Sequence, residues 1–249
     1  MSMPNPTAGS STTSVPAQPS WGIPDALLGW CGAFLFANIV GALVLLLGGY
    51  QTSAEIKAAP LIWTMVAALP IWLAFVAIVV WVGDHKGNGW IRDFHVAIRA
   101  IDVPLGLVAG IVAQFVLVPV LSYPILKLSH QDAEDMAKPA RELADKVHGA
   151  GGVLLLLLVV GVIAPIAEEL FFRGLFFRSI EKRWNQWWAL GLSSAFFGFI
   201  HFQPLQFLPL AAAGAVFGLL VIATGRLGPA IVAHMAFNTS TVVVLLWAN

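Results

Sequence analysis

Long apolar runs alternate with short polar connections along most of this chain. A helix needs about 20 apolar residues to cross the hydrocarbon core of a bilayer. Runs near that length fall at 26–49, 61–82, 103–121, 152–177, 188–202, 207–223 and 229–247, the fifth being short. The pattern predicts an all-α fold, a polytopic transmembrane helical bundle of about seven spans. Residues 1–20 are rich in Pro, Ser and Thr, without a charged side chain or an apolar run, and read as a disordered tail. They lack the basic start, apolar centre and cleavage site of a signal peptide. Residues 127–148 are polar and contain Pro139, which should interrupt a helix. They predict a short amphipathic helix or loop at the membrane surface, with a gate over a cavity as the alternative use. The chain therefore divides into the tail, a region of transmembrane helices and amphipathic linker at 21–150, and a core at 151–249.

The fourth run breaks the apolar pattern with Glu168, Glu169 and Arg173. An ionised group at mid-bilayer costs about 2.5–3.5 kcal/mol, while each Leu, Ile, Val or Phe contributes only about 0.3–0.6 kcal/mol. The apolar stretch before them cannot carry three bare charges, so they must face a partner or a wet cavity. On a helix Glu169 and Arg173 stand four apart in the order that favours an ion pair. Glu168 is turned roughly 100° from Glu169. It is the carboxylate left without a local partner, and so the candidate general base. Pro165, just ahead of it, removes a backbone hydrogen bond and should kink or break the helix there. Irregular backbone at that depth survives only beside protein or water, which again implies a polar cavity among the last four spans.

Composition agrees with this class. Of 249 residues, 59% are hydrophobic and 10% charged, with a mean hydropathy of +0.84; a soluble domain carries about a quarter charged residues. A formal net charge of zero gives no reason to expect a nucleic-acid partner. The one cysteine, Cys31, excludes an internal disulfide and a cysteine metal site, and reads as a small buried hydrophobe. Trp63, Trp72, Trp81, Trp184, Trp187 and Trp188 read as interfacial anchors. Gly106 with Gly110 and Gly214 with Gly218 are spacings that let helices approach closely, and Gln114 reads as a bond between helices. Lys86, Arg92, Arg99, Arg178, Lys182, Arg183 and Arg226 outweigh Lys57, Lys127, Lys138, Arg141 and Lys146 on the other side. The excess predicts a cytoplasmic N-terminus, and the expected location is the cell membrane.

Beyond these three charges, the last spans present His201, His234 and Asn238, the latter two four apart and on one helix face. Amide hydrolysis requires an activated water, a proton carrier and donors for the oxyanion. Glu168 can deprotonate water, His201 can hold it or move the proton, and His234 with the Asn238 amide can donate to the oxyanion. A metal version draws on Glu168, Glu169, His201 and His234 as ligands for zinc or another divalent ion, without the usual His-Glu-x-x-His spacing. Spacing does not choose between the two.

Glu168-Glu169-x-x-x-Arg173, Phe197-x-x-x-His201 and His234-x-x-x-Asn238, in this order on successive apolar segments, resemble the CAAX-protease and bacteriocin-processing family of intramembrane proteases. The resemblance covers about 151–249, making that region a CAAX-protease-like catalytic core. It implies that Glu168 and His201 position and activate the water, that His234 and Asn238 form the oxyanion site, and that Glu169 and Arg173 support the glutamate helix. The implied activity is intramembrane hydrolysis of a peptide bond in a membrane-associated protein or peptide, and prenyl specificity does not carry over with it. A non-catalytic immunity or scaffold protein and a proton-coupled transporter are the alternative readings of the same polar groups.

Overall fold

The computed structural model describes residues 18–247, and every regular element among them is helical. Most of the expected tail, residues 1–17, lies outside the described residues. In chain order the helices are α1 (Ile23–Leu47), α2 (Ser53–Ala58) and α3 (Leu61–Lys86). Next come α4 (Asp102–Ser129), α5 (Ala133–Ala144) and α6 (Gly149–Arg183). The last three are α7 (Gln186–Phe199), α8 (Phe207–Thr224) and α9 (Gly228–Trp247). Six helices, namely α1, α3, α4, α6, α8 with its preceding turn, and α9, are long and apolar enough to cross a bilayer. The protein is an integral, multi-pass membrane protein. The remaining expected span, the fifth, is α7, only 14 residues long. It stops because the chain turns at Phe202, in the left-handed region at φ 52°, and Pro204 then opens a new helical turn. Asn185 caps its start, accepting from the amides of Trp187 (2.9 Å) and Trp188 (3.1 Å).

Helix α6 is the axis of the bundle. From Leu170 to Phe176 every residue is buried, and Phe171, Phe172, Phe197, Phe217 and Phe75 make an aromatic core around it. The outer faces of α1, α3 and α4 carry exposed Leu, Ile, Val and Phe, as a lipid-facing surface requires. On α1 only Ala26, Ala33 and Gly41 are buried, a narrow stripe of small residues against α3. Cys31 is exposed on the outer face of α1, not buried as its sequence context suggested.

Pro165 does not break α6. The helix runs on, with a wide five-residue turn at Val159–Ile163 directly before Ala164 and Pro165, and a second at Leu170–Phe176. The wide turn shifts the hydrogen-bond register so that the proline ring is accommodated without ending the helix. Helix α4 repeats the device, a wide turn at Ala113–Leu117 ahead of Pro119. Pro139 likewise lies inside α5 without ending it. Asp132 caps α5 through the amides of Glu134 and Asp135, each at 2.9 Å. The helix is tied to the α2–α3 corner by Lys57–Glu142 (2.9 Å) and by Lys146, whose ammonium donates to the Ala59 carbonyl (2.7 Å). The hydrogen bond from Lys57 holds Glu142 below the usual carboxylate range, and burial pushes Lys146 down.

Close helix contacts follow the small residues. A Cβ on Gly110 would lie 2.1 Å from the Ala233 carbonyl of α9, and one on Gly106 would lie 2.8 Å from the Pro229 carbonyl. At the same end of the bundle, buried Asp102 accepts from the Arg226 Nε at 2.9 Å and from the Arg99 amide at 2.8 Å, fastening α4 to the α8–α9 turn. Gln114 makes no recorded side-chain bond to another helix among the described residues. Gly110→Ala should force α4 and α9 apart and destabilise the protein by about 1–3 kcal/mol. Gly32→Ala, which meets nothing within 4 Å, should be neutral, and thermal unfolding in detergent measures both.

Candidate active site

The ion pair predicted from spacing is present: Arg173 Nη1 lies 3.0 Å from Glu169 Oε1, and both side chains are 0% exposed. Two charges this deep need further partners, and most but not all of their polar atoms have one, since Glu169 Oε2 and Arg173 Nε are buried without a hydrogen bond. Arg173 Nη2 donates to the Gly214 carbonyl at 2.9 Å, and its guanidinium lies 4.5 Å from the centre of the Phe197 ring and 5.5 Å from that of Phe217. Gly214 is required for that approach, because a Cβ there would sit 2.7 Å from Arg173 Nη2. The same Glu169 oxygen receives His234 Nδ1 at 2.9 Å.

His234 is thereby fixed. Its ring stacks on Phe217 at 4.8 Å, meets Phe197 edge-on at 5.5 Å, and is 3% exposed. With Nδ1 committed to Glu169, Nε2 is turned to the second carboxylate, 3.8 Å from Glu168 Oε2. That separation is too long for a direct hydrogen bond and suits a bridging water. Glu168 is 13% exposed and faces a groove of about 330 Å³ that His201, Trp72, Trp30, Phe34 and Asn38 also line. Its other oxygen, Oε1, accepts from the Trp72 indole Nε1 at 3.0 Å. His201, on the turn after α7, places Nδ1 2.7 Å from the Phe197 carbonyl, leaving Nε2 unengaged. No residue of α5 lines this groove, so the linker helix is not placed as its gate.

Five of the six predicted residues thus form a chain in which Glu169 binds Arg173 and His234, His234 faces Glu168, and Glu168 shares its groove with His201. Asn238 does something else: its Nδ2 donates to the Val160 carbonyl of α6 at 2.9 Å, so as placed it does not offer an amide to the groove. Two residues escaped the sequence reading. Trp72 lies in mid-span, where an indole N–H has no interfacial water and must find a partner; its depth, unlike that of Trp63 and Trp81 nearer the ends of α3, was the available signal. Asn38 is a polar residue in the middle of α1, with its Nδ2 on the Phe34 carbonyl at 2.8 Å, and depth again was the clue.

The metal alternative can be tested on the donor set. Glu169 Oε1 is already held by Arg173 and His234. Among the described residues no three His, Cys, Asp or Glu side chains come together to hold an ion. The residues present do not fit a metal centre.

Residues 150–240, which include all six predicted site residues, match the family model described as "Type II CAAX prenyl endopeptidase Rce1-like". Over this region the chain is similar to that family. "Putative membrane peptidase YdiL" of Bacillus subtilis (strain 168) is 33% identical over 94 residues, covering 38% of this chain and 38% of that protein. The match thus spans about two fifths of the length of the curated relative. No solved structure matches the chain. Trp72 and Asn38 fall outside the matched region and come from the N-terminal helices.

Arg173→Leu leaves Glu169 without its cation in a dry interior, with His234 as its remaining partner, and should cost about 3–5 kcal/mol. Arg173→Lys should recover only part of this, since a single ammonium cannot reproduce the fork that spans Glu169 and the Gly214 carbonyl. Thermal unfolding and the amount of inserted protein are the measurements.

Proposed function

We propose that the protein is an intramembrane endopeptidase that cleaves a peptide bond of a membrane-associated protein or peptide with a carboxylate-activated water. The observation that carries this reading is the asymmetric setting of Glu168. One oxygen is held by the Trp72 indole, and the other faces His234 Nε2 across a gap of 3.8 Å, at the wall of a groove shared with His201.

In this reading a water between Glu168 Oε2 and His234 Nε2 gives a proton to Glu168 as its oxygen attacks the scissile carbonyl carbon. His201 Nε2 orients the water. Protonated His234, backed by Glu169, donates from Nε2 to the developing oxyanion. When the C–N bond breaks, Glu168 returns its proton to the leaving amine nitrogen, so no serine or cysteine nucleophile is needed. Trp72 holds Glu168 Oε1 and keeps Oε2 aimed at the water. The cation-rich end of the bundle, carrying Lys86, Arg92, Arg99, Lys182, Arg183 and Arg226 together with the start of α1, is taken as cytoplasmic, in the cell membrane.

Glu168→Gln should leave insertion and unfolding temperature unchanged and reduce cleavage of a membrane-anchored reporter peptide by at least about a hundredfold. Undiminished cleavage would remove Glu168 as the base. Wild-type cleavage should persist after exhaustive treatment with chelators, checked by elemental analysis of the stripped protein. Trp72→Phe, which keeps a ring and loses the N–H, should lower kcat with little change in KM, whereas Trp81→Phe on the outer face should change neither.

A further inference from the structure

The wide turn in α6 leaves one carbonyl without a backbone donor, and the position of that carbonyl can be derived. In the five-residue register the amide of Ala164 donates to the Val159 carbonyl. The next bond in that register would join the amide of residue 165 to the Val160 carbonyl. Residue 165 is proline and has no N–H. An unpaired carbonyl inside a membrane bundle is costly, and neighbouring helices commonly supply the missing donor. Here α9 supplies it: Asn238 Nδ2 lies 2.9 Å from the Val160 carbonyl oxygen. Gly161 permits the approach, since a Cβ there would lie 2.8 Å from Thr239 Oγ1, beside Asn238.

We infer that Asn238 is a positioning residue whose side-chain amide replaces the N–H missing at Pro165. Its bond locks the wide turn that sets the rotation of Glu168 and Glu169. The turn inserts the equivalent of one residue into the helix, and each residue turns a helix by about 100°. Without it the two glutamates would swing away from His234, which stands on the same helix as Asn238, one turn before it. Pro165 and Asn238 are therefore two halves of one bond. The consequence for cleavage rests on Glu168 being the base; the bond itself does not.

The test is an exchange of donors. Asn238→Leu keeps the side-chain volume and removes the amide. It should lower the unfolding temperature and reduce kcat about ten- to a hundredfold with KM nearly unchanged. Pro165→Ala returns a backbone N–H to residue 165, so the double variant Asn238→Leu/Pro165→Ala should recover most of both losses. A double variant as slow as Asn238→Leu alone overturns the inference, because a donor to the oxyanion would be needed whatever stands at 165. Full activity and stability in Asn238→Leu overturns it as well. If Asn238→Leu fails to accumulate in the membrane, the inference requires Pro165→Ala to restore accumulation, and failure to do so sinks it. The unfolding-temperature cycle decides the inference in the absence of any cleavage assay. The protease reading fails separately, if Glu168→Gln still cleaves.

Discussion

A charge in the interior of a membrane protein must be matched by partners that are themselves held, and the Glu169–Arg173 pair is where this protein meets that demand. Coulomb attraction alone does not offset the desolvation of two ions. The Gly214 carbonyl, the faces of Phe197 and Phe217, and His234 engage the pair further, while Glu169 Oε2 and Arg173 Nε are buried without a hydrogen bond. These partners come from three different helices, Phe197 from α7, Gly214 and Phe217 from α8 and His234 from α9, so the pair also draws all three onto α6. The bundle's most polar point is its most interconnected one. The imidazole that faces the groove inherits its orientation from a pair that never reaches the groove.

Around that anchor the backbone is deliberately irregular. Two wide turns bracket the segment Ala164–Glu169, so its side chains are out of phase with both flanking stretches of α6. Those stretches bury Leu and Phe, while the segment between them directs one glutamate inward and the other to a groove. Wide turns recur at functional positions in helices for this reason: they re-aim a few side chains without ending the rod. The bond from Asn238 ties that phase to the helix that carries His234, linking the glutamate segment to the imidazole.

How much of this was legible in the sequence depended on whether a feature was local. Spans, the shortness of the fifth one, and the pairing of Glu169 with Arg173 follow from apolar length and from four-residue spacing, and all are present in the structure. The placement of His201 and His234 near Glu168 followed from the cost of intramembrane polar groups, which need common company. A break at Pro165 did not follow, because proline chemistry states what bond is lost, not which helix register absorbs the loss. Asn238 was read as a donor to substrate because spacing puts it on the face of His234, and spacing cannot reveal an acceptor 78 residues away. Trp72 was grouped with tryptophans that anchor helices, although its depth set it apart; its acceptor lies 96 residues later. Long-range pairings of this kind are decided by the three-dimensional course of the chain.

The clamped ring of His234 has a consequence for the bilayer itself. A string of exchangeable groups running across a membrane would discharge the proton gradient that a cell maintains. Wedged between Phe217 and Phe197 and tethered at Nδ1, the imidazole is held with one nitrogen toward Glu169 and the other toward Glu168. Past it the path ends in Glu169 and in an arginine whose second arm is spent on a backbone oxygen. The chain of buried polar groups that starts at Glu168 beside the groove thus ends inside the bundle, at Arg173 and the Gly214 carbonyl.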